Sequence, residues 1–438
     1  METLKAVLPL MLVAAASPPA ISGQELSTVE RQIAEYVDAH NEEAVGLLER
    51  VVNINSGTMN HEGVRAVGRV FRSEFDELGF STRWMPLDNI DRAGHLFAEI
   101  RGDRGRKLLL IGHLDTVFPE DSPFQRFERD GTMARGPGTE DMKAGDVIIL
   151  YALKALRAAG ALDGATIVVA LTGDEEDTGE PLDATRRYLI DAAKRSDVAL
   201  GFEGGVGGMH TATVARRGYT GWSLRVSGKR GHSSLIFGAQ YGSGAIYETA
   251  RILNSFREEL AGEEYLTFGP GIIVGGTAAS YDTAHARGTA FGKTNVIPQT
   301  VTVAGDLRTL TVEQRDRTKA KMQEIVARHL PLTSAEITFR DSYPPMAPTA
   351  GNRDLLAMLD RVNRDMGYGP IETVDPGRRG AADISFATAY VDGLAGLGAF
   401  GSGGHTPEEM VDLRSVPVAT KRAAILIYRL TRGGVGSR

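Results

Sequence analysis

Three short apolar runs constrain this chain more than any other feature. "KLLLIGHLDTV" (Lys107–Val117), "ATIVVALTGDEE" (Ala165–Glu176) and "DVALGFEGG" (Asp197–Gly205) are rich in Val, Ile and Leu, and each turns polar at its C-terminal end. Helical patterns lie between them, "MKAGDVIILYALKALRAAG" in the first gap and "DATRRYLIDAAKRS" in the second. Strands that are apolar along their length bury both faces. The order strand, helix, strand, helix, strand therefore predicts an α/β fold, with a parallel sheet covered by helices on both faces. Two further helical patterns, in the stretches Glu25–Ile54 and Val64–Phe80, open the chain, the second stopping at Gly79.

After the third run the character changes. "GWSLRVSG" alternates Trp222, Leu224 and Val226 with Ser223, Arg225 and Ser227, the two-residue period of a strand with one wet face. A helical stretch (Ser243–Leu260), two more strand-like runs (Leu266–Gly276 and Gln299–Leu310), a charged helix near residues 312–330 and "AEITFRD" (Ala335–Asp341) complete an antiparallel α+β block. We expect this block at 214–345, inserted into a first domain formed by 24–213 and 346–438. A chain of 438 residues is long enough for such a division.

A formal net charge of -7 and the absence of long basic runs argue against a nucleic-acid surface and favour a small-molecule partner. The N-terminus, "METLKAVLPLMLVAAASPPAISGQ", carries an apolar stretch too short to span a bilayer, followed by small residues and prolines. It reads as a secretory signal over 1–23, which predicts an exported protein, periplasmic or secreted, with no stable membrane anchor. The chain has no cysteine, so stability in an oxidising compartment must come from packing.

In open parallel sheets ligands gather at the carboxyl ends of the strands. Here the first run ends in His113 and Asp115, the second in Glu175 and Glu176, and the third in Glu203, while Glu140 and Asp141 precede the intervening helix. Taken singly, each has a plainer role: His113 a hydrogen-bonded strand-end histidine, Asp141 a helix cap, Glu203 a loop residue. Taken together, a histidine and several carboxylates at one sheet edge form a ligand set that suits zinc. The crowded acidic stretch "GDEEDTGE" (Gly173–Glu180) raises the same expectation, because like charges so close call for a cation among them.

The motifs "GHLDTV", "GPGTEDMKAG", "TGDEEDTGE" and "GFEGG", followed near the C-terminus by "GSGGHTPEE", resemble those of the M20 family of zinc-dependent exopeptidases and acyl-amino-acid hydrolases. Within that family the resemblance is greatest to the glutamate carboxypeptidase branch. It implies a zinc-exopeptidase-like parallel or mixed sheet and a ferredoxin-like inserted dimerisation domain. It also implies two Zn²⁺ per subunit: His113 and Glu203 on one ion, Glu176 and His405 on the other, Asp141 bridging. Glu175 would be the general base, and Asp115 would orient His113. In the inserted block His232 would reach across a homodimer toward the scissile carbonyl. Asn295 and Arg308 would bind the substrate's carboxylate, with Arg379 a further candidate.

The implied activity is hydrolysis of an amide or peptide bond next to a free carboxylate, with release of a C-terminal amino acid. A dipeptidase or a deacylase of N-acyl amino acids is the alternative. One departure bears on specificity: the loop "GGVGGMHTATVARRG" carries His210, Arg216 and Arg217, whereas the branch that prefers glutamate has a lysine there. A non-catalytic solute- or nucleotide-binding protein is a weaker reading, since "RGPGTED" lacks both the dinucleotide glycine spacing and the ending of a phosphate loop.

Overall fold

Ser27 caps the first helix, α1 (Thr28–Ala39), by a reciprocal pair of bonds. Its hydroxyl accepts from the Glu30 N–H, and the Glu30 carboxylate accepts from the Ser27 N–H. The computed structural model describes residues 25–282 and 286–432, so the expected signal segment lies outside the described residues. The first helical stretch is two helices, because the chain breaks at His40, whose ring stacks on Tyr36, before α2 (Asn41–Val52) begins. α3 (His61–Glu77) follows.

The chain then forms β1 (Ser81–Leu87), β2 (Arg92–Ile100), β3 (Arg104–His113), α4 (Lys143–Ala158), β4 (Ala165–Thr172), α5 (Leu182–Ala193) and β5 (Val198–Gly201). It leaves for the inserted block, which comprises β6 (Gly218–Gly228), α6 (Gly244–Leu260), β7 (Thr267–Gly276), β8 (Thr300–Thr309), α7 (Val312–Ala327) and β9 (Thr333–Asp341). It returns with α8 (Ala350–Asp365), β10 (Asp392–Leu394) and the long final helix α9 (Ser415–Arg432).

The first sheet has the order β1-β2-β4-β3-β5-β10. β3 runs parallel to β4 and β5, as the apolar runs predict, and β10, which the sequence did not announce, runs parallel to β5. β2 pairs antiparallel with both β4 and β1, so the sheet is mixed. Alternation divides β3 between two cores: Leu108 and Leu110 pack with α1 to α4, α8 and α9, while Leu109 and Ile111 pack with α5 and Ile384.

The second sheet is antiparallel, with the order β7-β8-β6-β9. Its βαββαβ connectivity and strand order are those of a ferredoxin-like unit. Trp222, Leu224, Val226, Val301 and Val303 bury against Ile252 and Phe256 of α6 and Met322 and Ile325 of α7. A hairpin of Ala278–Asp282 and Arg287–Phe291 extends the block between β7 and β8. The two segments joining the block to the first sheet bond to each other. Arg216 and Met346 exchange both backbone hydrogen bonds at 3.0 Å, and Tyr219 bonds to Ser342 and Tyr343. Among the described residues no helix is long and apolar enough to cross a membrane.

Candidate metal centre

His113 closes β3 and is buried. Its Nδ1 lies 3.1 Å from the Asp115 carbonyl oxygen and 3.5 Å from its carboxylate, so a proton on Nδ1 leaves the Nε2 lone pair facing Asp141 Oδ1, 3.1 Å away. The Asp115 carboxylate has a second task. It accepts from the Thr58 hydroxyl at 2.7 Å and from the N–H groups of Glu175 and Glu176 at 3.1 Å each, so one buried acid fixes the histidine and the glutamate loop together.

Asp141 arrives from the opposite side, just before α4. Glu409 holds its loop by accepting from the N–H groups of Gly138, Glu140 and Asp141 at 3.2, 2.8 and 3.0 Å. Asp141 turns Oδ1 toward His113 and Oδ2 toward His405 Nε2, which is 3.2 Å away and also 3.2 Å from Glu176 Oε2. His405 reaches this position with φ 64°, a left-handed conformation that non-glycine residues seldom adopt and that concentrates at functional sites. Donor atoms of His113, Asp141 and Glu176 lie within 4.8 Å of one another.

The electrostatics call for a cation here. Burial, reinforced by Asp141 and Glu409, raises the Glu140 carboxyl to about 8. Burial likewise raises Glu176 to about 7 against the opposing pull of His405, and burial with the charge of Glu203 holds Glu175 well above the usual carboxylate range. Glu176 Oε1 is buried with no hydrogen-bond partner. An orphaned carboxylate oxygen beside imidazole and aspartate donors fits a divalent metal, which would satisfy the oxygen and compensate the crowded charge.

Glu203, just past β5, faces a different environment. Its Oε2 accepts from Arg216 Nη2 at 2.5 Å and lies 3.4 Å from Arg379 Nη2. Arg308 stacks on Tyr219 at 4.5 Å and pairs with Asp306. Tyr219 in turn lines a cavity of about 260 Å³ together with Glu175 and Glu176. His232 and Asn295 are neighbours in the block: Ser233 N–H donates to the Asn295 carbonyl, and His232 Nδ1 meets the Ser234 hydroxyl at 2.8 Å. The polar contacts of these two residues thus lie within the block, not at the acidic cluster.

The acidic loop corrects one expectation. Three of its five acids are matched by arginines: Asp174 by Arg186, Asp177 by Arg92 and Glu180 by Arg340. Glu175 and Glu176 are the two that no arginine pairs among the described residues. Arg186 is fully buried, binds Asp383 as well as Asp174, and donates to the Tyr343 hydroxyl, which itself donates to the Glu175 carbonyl. Sequence reasoning did not single out Glu409, Thr58, Arg186, Asp383 or Tyr343. Of these, Glu409 lies in the motif "GSGGHTPEE", four residues after His405, and Arg186 in the helical stretch "DATRRYLIDAAKRS", where nothing local marks it as a partner of the acidic loop.

The sequence profile of peptidase family M20/M25/M40 matches residues 109–429, a span that contains the whole cluster from His113 to His405. The chain belongs to that family. As an M20 protein it is a hydrolase of peptide or amide bonds. It is 26% identical to carboxypeptidase G2 of Pseudomonas sp. (strain RS-16) over 392 residues, 88% of this chain and 89% of the relative. Among solved structures, aminopeptidase PepT from Bacillus cereus superposes with a TM-score of 0.70 at 17% identity, covering 89% of this chain and 98% of that one. The YXEP protein of Bacillus subtilis, a dinuclear metal-binding M20 peptidase, superposes with a TM-score of 0.65 at 15% identity, covering 90% and 99%. At these identities the two structures speak for the fold.

Proposed function

We propose that this M20 protein is a dinuclear zinc hydrolase that cleaves an amide bond next to a free carboxylate and releases the C-terminal amino acid. One observation carries the reading: Asp141 directs its two oxygens to two different histidines, as a carboxylate bridging two cations would. In this reading His113 and Glu203 hold one zinc, Glu176 and His405 the other. Bound zinc supplies Lewis acidity and brings a water's pKa toward 7. Glu175 takes a proton at its carboxylate and returns it to the leaving amine. Its raised pKa suits that exchange, and the Asp115 clamp on its N–H keeps the loop in place.

Arg308, Asn295 and Arg379 are the proposed partners of the substrate's carboxylate, for which a guanidinium offers two parallel donors. The likeness to carboxypeptidase G2 along most of both chains supports a C-terminal amino acid as leaving group. We further propose an exported homodimer in which His232 serves the partner's site. Exposed Phe237, Ile246 and Tyr247 on the inserted block support such an interface.

The test is amino-acid release from a panel of peptidyl and N-acyl amino acids, glutamate conjugates included, with zinc supplied and with a chelator. Chelator-sensitive release is expected, and the best leaving amino acid identifies the pocket. Release that ignores the chelator overturns the metal reading. Glu175→Gln should keep its zinc and lose turnover by about 10²–10⁴-fold; loss of zinc instead would assign Glu175 as a ligand.

A further inference from the structure

The two sides of the centre are built differently. On one side Glu176 has His405 as its ion-pair partner, and its second oxygen is buried and unpartnered. On the other, Glu203 already has a cation. Arg216 is only 2% exposed, donates Nη2 to Glu203 Oε2 at 2.5 Å, and directs Nη1 to the carbonyls of Gly380 and Ala381 at 3.3 and 3.4 Å. Its backbone is bonded in both directions to Met346, so the guanidinium is fixed from the main chain outward. Arg379 approaches the same oxygen at 3.4 Å.

A guanidinium stays charged at any working pH. A neutral donor behind a metal-binding carboxylate orients it at no electrostatic cost. A fixed cation orients it too, but repels a second cation across a few ångströms of low-dielectric interior. From this asymmetry we infer that the two metal positions are unequal: the Glu176–His405 side fills first and holds its ion, while the Glu203 side is weak and exchangeable because Arg216 opposes it. The inference rests on the proposed dinuclear reading and concerns Arg216 as a positioning residue.

The test is a titration of metal-free full-length protein with Zn²⁺ against a competing chromophoric chelator, with bound zinc counted by elemental analysis. Two steps separated by about 30-fold or more in affinity are expected, within the 10–100-fold range over which groups behind a metal's ligands act. Arg216→Gln keeps an N–H donor and removes the charge. It should tighten the second step about tenfold and leave the first within about twofold. Arg379→Gln should act in the same direction more weakly, and it decides the matter if Arg216→Gln does not fold by circular dichroism. Equal steps in the wild type overturn the inequality, and a gap that neither variant narrows overturns its assignment to Arg216; either result leaves the proposed function standing. A wild type that binds no zinc overturns both.

Discussion

Arg186 shows how much of the centre is held from behind. It is wholly buried, and its charge is shared by Asp174 and Asp383. Removing one member of a buried ion group leaves the others charged and dry, which costs about 3–5 kcal/mol. Arg186→Met should lower stability by that amount in urea unfolding, while Arg187→Met, one position along on the exposed side of α5, should change it by less than about 0.5 kcal/mol. Residues at this scale were legible where chemistry shows in a local motif, as in "GHLDTV" and "GSGGHTPEE". The partners of the acidic loop were not, since Arg92 lies 85 residues before Asp177 and Arg340 lies 160 after Glu180. An acidic run alone does not reveal which charges an arginine from another element will meet.

Burial made the three parallel strands legible, whereas β2 ("RAGHLFAEI"), buried along most of its length, is broken by Gly94 and His95 and was not read as a strand. β3 from Leu108 to Ile111, β4 and β5 are apolar runs because helices cover both faces, and β6 and β8 alternate because α6 and α7 cover only one. β1 escaped notice because it is a half-exposed edge strand, and "STRWMPL" carries too weak an alternation to announce itself. The first and last helices are joined by Glu30 of α1 and Arg429 of α9, whose Nε lies 2.7 Å from Glu30. Burial alone would raise the Glu30 pKa, but Arg429 and the Ser27 cap outweigh it and hold it below the usual value. A folded-state pKa below the unfolded one contributes stability at neutral pH that fades as pH falls through the carboxylate range. Glu30→Gln should therefore cost about 1 kcal/mol at pH 7 and progressively less below about pH 4, read from urea midpoints at each pH.

At the scale of the whole molecule, the inserted block carries His232, Asn295 and Arg308, while the acidic cluster belongs to the first sheet. The switch from continuous to alternating strands in the sequence falls where the chain passes from the first sheet to the second. If His232 serves the partner subunit's site, as proposed, then mixing inactive His232→Ala protein with inactive Glu175→Gln protein should restore up to about a quarter of wild-type turnover per site after subunit exchange, the share expected for hybrid dimers with one intact site each. No recovery despite exchange, followed by size-exclusion chromatography of tagged subunits, would place His232 in its own subunit's site. The two joining segments add a mechanical consequence. They are hydrogen-bonded like a ribbon from Arg216 and Met346 to Tyr219 and Tyr343, and each also sends a side chain to the cluster, Arg216 to Glu203 and Tyr343 to the Glu175 carbonyl. The same two segments that carry the block thus also hold Glu203 and the Glu175 loop from behind, so a substitution that displaces either segment should disturb the cluster without touching it.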